Sequence, residues 1–87
     1  MKIVDGFMLR EVAGNYIVVA VGSMAKKFNG MITLNESSAF LWKLLEKGAD
    51  EESLVSAMLN EYDIEEELAK QDVKEFVGKL TKAGFIK

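Results

Sequence analysis

Apolar residues follow two different rhythms along this chain of 87 residues. Up to about residue 34 they come in short β-branched and aromatic runs broken by glycine and asparagine, which marks strands. Beyond that point they recur at three- and four-residue spacings, which marks amphipathic helices. The pattern therefore predicts a β half followed by an α half.

Phe7 to Val12 reads as a first strand, with Leu9 and Val12 among the polar Arg10 and Glu11. Ala13-Gly14-Asn15 interrupts it with a turn signal. Tyr16 to Val21 is the strongest strand in the chain. It is apolar on both parities and carries no charge, which predicts a central strand covered on both faces. Residues 22–30, from Gly22 to Gly30, read as a loop. Met31 to Leu34 is a short third strand, with Ile32 and Leu34 on one face and Met31 and Thr33 on the other.

Asn35 is placed to cap a helix that Glu36 opens and Gly48 ends. Phe40, Leu41, Leu44 and Leu45 fall within one arc of about 140° on it, and Trp42 lies off that arc. That position predicts either packing against the strands or a partly exposed interface anchor. Asp50 caps a second helix with a stripe of Leu54, Val55, Met58, Leu59 and Tyr62, and Asp63-Ile64 breaks it. A third helix starts near Glu65 and runs to about Ala83 with a stripe of Ala69, Val73, Phe76, Val77, Leu80 and Ala83. Its acids gather at the N-terminus and its lysines at the C-terminus, as the helix dipole prefers. Gly84 stops it, and Phe85-Ile86 should turn back over the core. Gly78 inside this helix either admits another backbone or is simply tolerated. The expected class is α+β, one domain over residues 1–87, with a three-stranded antiparallel sheet followed by three helices.

Composition narrows the chemistry. The chain has no histidine, cysteine or proline. Without cysteine there is no disulfide framework and no thiolate nucleophile. Without histidine the usual general base and commonest metal ligand are missing, so an enzyme, a metal site and a cofactor are not expected. Glu61, Asp63, Glu65, Glu66 and Glu67 cluster in sequence, but consecutive helical positions diverge by about 100°, so they read as a solvated, dipole-complementing surface. The net charge is −3, with residues 1–34 at +2 and residues 35–87 at −5. That balance disfavours nucleic acid, because neutralising phosphates needs surplus cations. Charges at positions 2, 5, 10 and 11 argue against a signal peptide, and no apolar run reaches the roughly 20 residues of a membrane span. A cytoplasmic location is the expectation.

Surface recognition remains. In a meander the third strand lies at an edge of the sheet, and Gly30 to Leu34 carries neither charge nor proline to blunt it. Such an edge is either covered by the protein's own elements or free to accept an extended peptide. Three helices with a β-ribbon also describe a winged helix, so a DNA-binding or protein-interaction module is the alternative. Three consecutive glutamates at the start of the third helix, its recognition helix, fit DNA poorly.

The run Leu34-Asn35-Glu36-Ser37-Ser38-Ala39-Phe40-Leu41-Trp42, followed by Leu44-Leu45, strongly resembles the PqqD family at its strand-to-helix junction. Tyr62-Asp63-Ile64, Asp72-Val73, Phe76, Leu80 and Gly84-Phe85-Ile86 match the family's last-helix pattern. Gly6 to Gly14 and Phe28-Asn29-Gly30-Met31-Ile32 look like its short stand-alone members. Where the family has a helix-starting proline near position 66, this chain has Glu66.

The resemblance implies a winged-helix-like fold and a leader-peptide binder, a RiPP recognition element. A precursor's leader would dock as an added strand on the third strand, beside the third helix. It would then be presented to a maturation enzyme, in many cases a radical SAM protein; PqqD itself serves pyrroloquinoline quinone synthesis. Carried onto this chain, the strand wall is Gly30, Met31, Ile32 and Thr33. The helix wall is Leu68, Asp72, Val73, Phe76 and Lys79. Asp72 is the sharpest of these, a carboxylate between Leu68 and Phe76 on an otherwise apolar face. A scaffold acting through a homodimer is a further alternative, separable by sedimentation.

Overall fold

The computed structural model describes residues 1–27 and 31–87. Strands β1 (Phe7–Val12) and β2 (Asn15–Ala20) lead through a single helical turn, α1 (Met24–Lys27), to β3 (Met31–Leu34). Helices α2 (Glu36–Lys47), α3 (Glu51–Glu61) and α4 (Glu66–Ala83) follow. The sheet is antiparallel in the order β1-β2-β3, giving the α+β architecture expected from the sequence.

The β1–β2 connection needs only Ala13 and Gly14, at φ of +52° and +82°. Positive φ at both central residues makes this a primed hairpin turn, whose twist suits the flanking strands. Asn15 is thereby released into the strand and pairs with Val12, so β2 begins and ends one residue earlier than the sequence suggested. The stretch read as a plain loop over 22–30 contains α1; Phe28, Asn29 and Gly30 lie outside the described residues.

Register explains which side of the sheet is covered. Leu9, Val18 and Ile32 align across the strands, as do Met8, Val19 and Met31 on the opposite face. Val18 is fully buried against the core, whereas Ile17 and Val19 are half-buried and Met8 and Met31 exposed. Cover on both faces was expected for β2; one face has it. The other parity, Ile17 and Val19, is only half-buried, although α1 packs against β2.

Helix α2 starts where the sequence placed it. Asn35 Oδ1 accepts the Ser38 N–H at 2.8 Å and the Ser37 hydroxyl at 3.1 Å. Asp50 does the same for α3, accepting the Ser53 N–H at 2.7 Å, and this bond holds its carboxyl below the ordinary value. Helix α4 closes on Gly84 in the left-handed region, where the Gly84 and Phe85 N–H groups return to the Thr81 and Leu80 carbonyls. This pairing is a Schellman motif, and it aims Phe85 inward.

Phe85 decides the fate of Trp42. Their rings meet edge-on at 5.7 Å, and Phe85 also meets Phe7 at 4.5 Å. Trp42 is fully buried, so it is a core residue rather than an interface anchor. The buried arc of α2 is Ala39, Leu41, Trp42 and Leu45, while Phe40 and Leu44 flank it half-buried. The sequence arc missed this rotation because the packing partner of Trp42 lies 43 positions away in the chain. The Trp42 Nε1 is buried with no hydrogen-bond partner among the described residues. Such an orphan donor costs about 1–3 kcal/mol, offset by the large apolar area the indole buries.

The C-terminal segment does turn back. Val4 N–H donates to the Phe85 carbonyl at 2.8 Å, Lys87 N–H to that of Lys2 at 3.0 Å, and Ile3 bridges Ile86. Gly78 faces open space, and an added Cβ would meet nothing within 4 Å. It is a tolerated glycine, and no backbone approaches it.

Candidate functional site

β3 is the last strand of the sheet, paired with β2 through four residue pairs from Val19↔Met31 to Tyr16↔Leu34. It packs closely on β2 and on α2, and less closely on α4. The α4 helix instead lies closely along α3. A cleft of about 380 Å³ therefore remains between the edge strand and α4. Ile32, Thr33 and Leu34 border it on one side, Phe76, Lys79, Leu80 and Ala83 on the other, and buried Phe85 lies beneath.

A second, smaller cleft of about 200 Å³ adjoins it at the α2 end. Asn35, Ser38, Phe76 and Lys79 line both, so the two form one groove along α4. The second compartment adds Ser37, Asp72 and Glu75 and is polar where the first is mainly apolar. Phe76 is 8% exposed and divides them. The Asn35 that caps α2 thus also stands in the wall of the groove, and its cap bond to the Ser38 N–H fixes that corner.

The residues expected from the sequence separate into groups. Ile32, Thr33, Phe76 and Lys79 border the main cleft, and Asp72 stands in the adjoining one. Met31 is 65% exposed on the outer face of the sheet and Leu68 is 48% exposed; neither lines either compartment. Val73 is 1% exposed, inside the core. Gly30 lies outside the described residues. Sequence reasoning missed Asn35, Ser38, Glu75, Leu80, Ala83 and Phe85. Glu75 and Ala83 were within reach, since each shares a helix face with Lys79 at a spacing of four. Asn35 and Ser38 were hidden by their legible role at the start of α2.

A wider trough of about 1040 Å³ lies between α3 and the first turns of α4. Charged side chains line much of it, among them Glu51, Glu52, Glu66 and Lys70, and no strand edge reaches it. The Lys70–Glu66 ion pair there, at 2.9 Å, is an exposed i,i+4 contact that raises the lysine's pKa and stabilises little. Among the described residues no group of carboxylates is arranged to hold a metal ion, and no helix is long and apolar enough to cross a membrane.

The groove can do one thing well. It offers main-chain groups along a strand edge and side-chain pockets along a helix, the two elements that strand addition uses.

Comparison with known proteins agrees with this geometry. The model of the family described as coenzyme PQQ synthesis protein D (PqqD) matches residues 7–86. Among solved structures, the chain is similar to TbiB1 in complex with the TbiA(beta) leader peptide, at 21% identity and a TM-score of 0.79 over 100% of this chain and 95% of that one. It is also similar to a lasso peptide synthetase B1 complexed with the leader peptide, at 17% identity and a TM-score of 0.75 over 97% and 93%. At these identities the likeness is one of fold. No curated protein matches the sequence.

Proposed function

The chain belongs to the PqqD family, and from that premise we propose that it is a non-catalytic adaptor for a precursor's leader peptide. The leader adds as a fourth strand to β3 and lies in the groove against α4. Main-chain pairing supplies affinity, and the compartments beside Phe76 read alternate side chains. The bound precursor is then presented to a modifying enzyme.

The observation that carries this reading is the β3 edge, which pairs with no other strand on that side among the described residues and borders the cleft beside α4. Both solved proteins of the same fold are described in complex with leader peptides, which supports it. Ile32 and Thr33 supply the strand wall, and Phe76, Lys79 and Asp72 the helix wall. The glutamates at 65–67, at the start of α4, favour a peptide over nucleic acid, since they repel phosphate.

The test uses ¹⁵N-labelled chain titrated with synthetic peptides copied from short reading frames flanking its gene. Amide shifts should concentrate at β3 and at residues 72–83 of α4. Methylating one backbone nitrogen of a bound peptide removes a ladder donor and should weaken binding about tenfold when that N–H faces β3. Methylation at the neighbouring residue, whose N–H faces away, should change little. Shifts confined to α3, or no binding by any peptide, would overturn the groove assignment.

A further inference from the structure

The groove is chemically uneven along its length, and this inference rests on the strand-addition reading above. We propose that it selects leaders carrying a basic side chain two positions N-terminal to an apolar anchor. Three observations lead there.

First, the spacings match. Asp72, Phe76 and Leu80 succeed one another at four-residue intervals on α4. Each interval advances about 6 Å along the helix axis. Inward-facing side chains of an added strand recur every two residues, about 6.6–6.8 Å apart. Successive inward side chains of the peptide therefore meet successive turns of α4.

Second, the compartments differ. Ile32, Leu34, Leu80 and Phe85 make the first one the more apolar of the two, a seat for an aliphatic or aromatic side chain. Asp72 and Glu75 stand in the second, with Lys79 as the cation beside them. Two carboxylates against one ammonium leave that end with a charge of −1. Asp72 makes no ion pair among the described residues, and Glu75 accepts only a long 3.4 Å bond from Gln71. A lysine or arginine on the peptide completes this end, and an acid is repelled.

Third, the direction is fixed. Residues 32–34 of β3 line the compartment that Ala83 borders but not the one that holds Asp72, which is reached only from Asn35 onward. β3 thus runs opposite to α4. Every pairing in the sheet is antiparallel, and antiparallel pairing is the slightly stronger kind. A strand added antiparallel to β3 runs with α4, so its N-terminal part lies beside Asp72 and the next inward residue beside Phe76.

Because Asp72 and Glu75 are exposed, the selectivity is a matter of a few-fold and depends on salt. The experiment starts from a displayed library of random short peptides selected on the full chain. A recovered binder with a leucine or phenylalanine anchor is then synthesised with Lys, Ser or Glu two positions before the anchor, and separately two positions after it. Affinities are read by fluorescence anisotropy for the native chain and for Asp72→Lys.

Lys before the anchor should bind about threefold more tightly than Ser, and Glu about threefold more weakly. Asp72→Lys should invert that order, and the spread should shrink between about 50 and about 500 mM salt. Equal affinities, an order that Asp72→Lys leaves unchanged, or a preference only after the anchor would overturn the inference while peptide binding stands. Failure of every peptide to perturb β3 and α4 amides would overturn the underlying reading with it.

Discussion

The two walls of the groove are built in opposite ways. The α4 wall is a helix of 18 residues that buries Ala69, Val73, Phe76, Val77 and Leu80 and ends in a hydrogen-bonded glycine cap. The β3 wall is a strand of four residues, none of them fully buried, held by β2 on one side. Helix backbone is satisfied internally, so α4 can offer a peptide only side chains. An edge strand leaves alternate N–H and C=O groups unpaired, so β3 offers mainly backbone. In the proposed complex the helix wall would set selectivity as well as carry stability, and the strand wall would set affinity with little regard to sequence.

That division can be broken most severely at Phe76, which serves the core and the groove together. Phe76→Ala should cost about 3–5 kcal/mol, read by urea denaturation, because it leaves a cavity beneath both compartments. A loss below 1 kcal/mol would mean that the α4 wall is not anchored through this ring. The corner between the walls comes next. Asn35→Ala removes the bond to the Ser38 N–H and should lower stability by about 1 kcal/mol in a thermal melt. Peptide binding should weaken with it, since the same corner lines both compartments; unchanged binding would separate the cap from the groove.

The smallest effect sharpens the comparison from the other side. Gly78→Ala adds a methyl group to exposed space on α4 and should stabilise the helix by about 0.5–1 kcal/mol. Peptide affinity should not change, because Gly78 lines neither compartment. Altered affinity with altered stability would show that α4 must flex to admit the peptide.

Much of this was legible along the chain. Asn35, Asp50, Gly48 and Gly84 marked helix ends by chemistry that acts within a few residues, and each end lies where expected. The alternation at Met31–Leu34 and the lack of charge there pointed to an edge strand. The last-helix stripe gave Phe76, and the resemblance to the PqqD family put Asp72 beside it. What failed was what depended on distant contacts. Trp42 was placed off the core arc because Phe85, which covers it, returns only after α4 ends. Val73, counted with the groove, is inside, because its face of α4 is turned into the core.

The sequence by itself determined the order of elements, the caps that delimit them and the absence of histidine, cysteine and proline, since all of these are local or compositional. Only the tertiary structure decided that β3 and α4 stand apart, that Asn35 and Ser38 close the corner between them, and that the groove is apolar at one end and acidic at the other. Periodicity fixes which residues share a face of one element. It carries no information about the gap between two elements, which is set by what else each of them packs against: β2 and α2 for the strand, α3 for the helix.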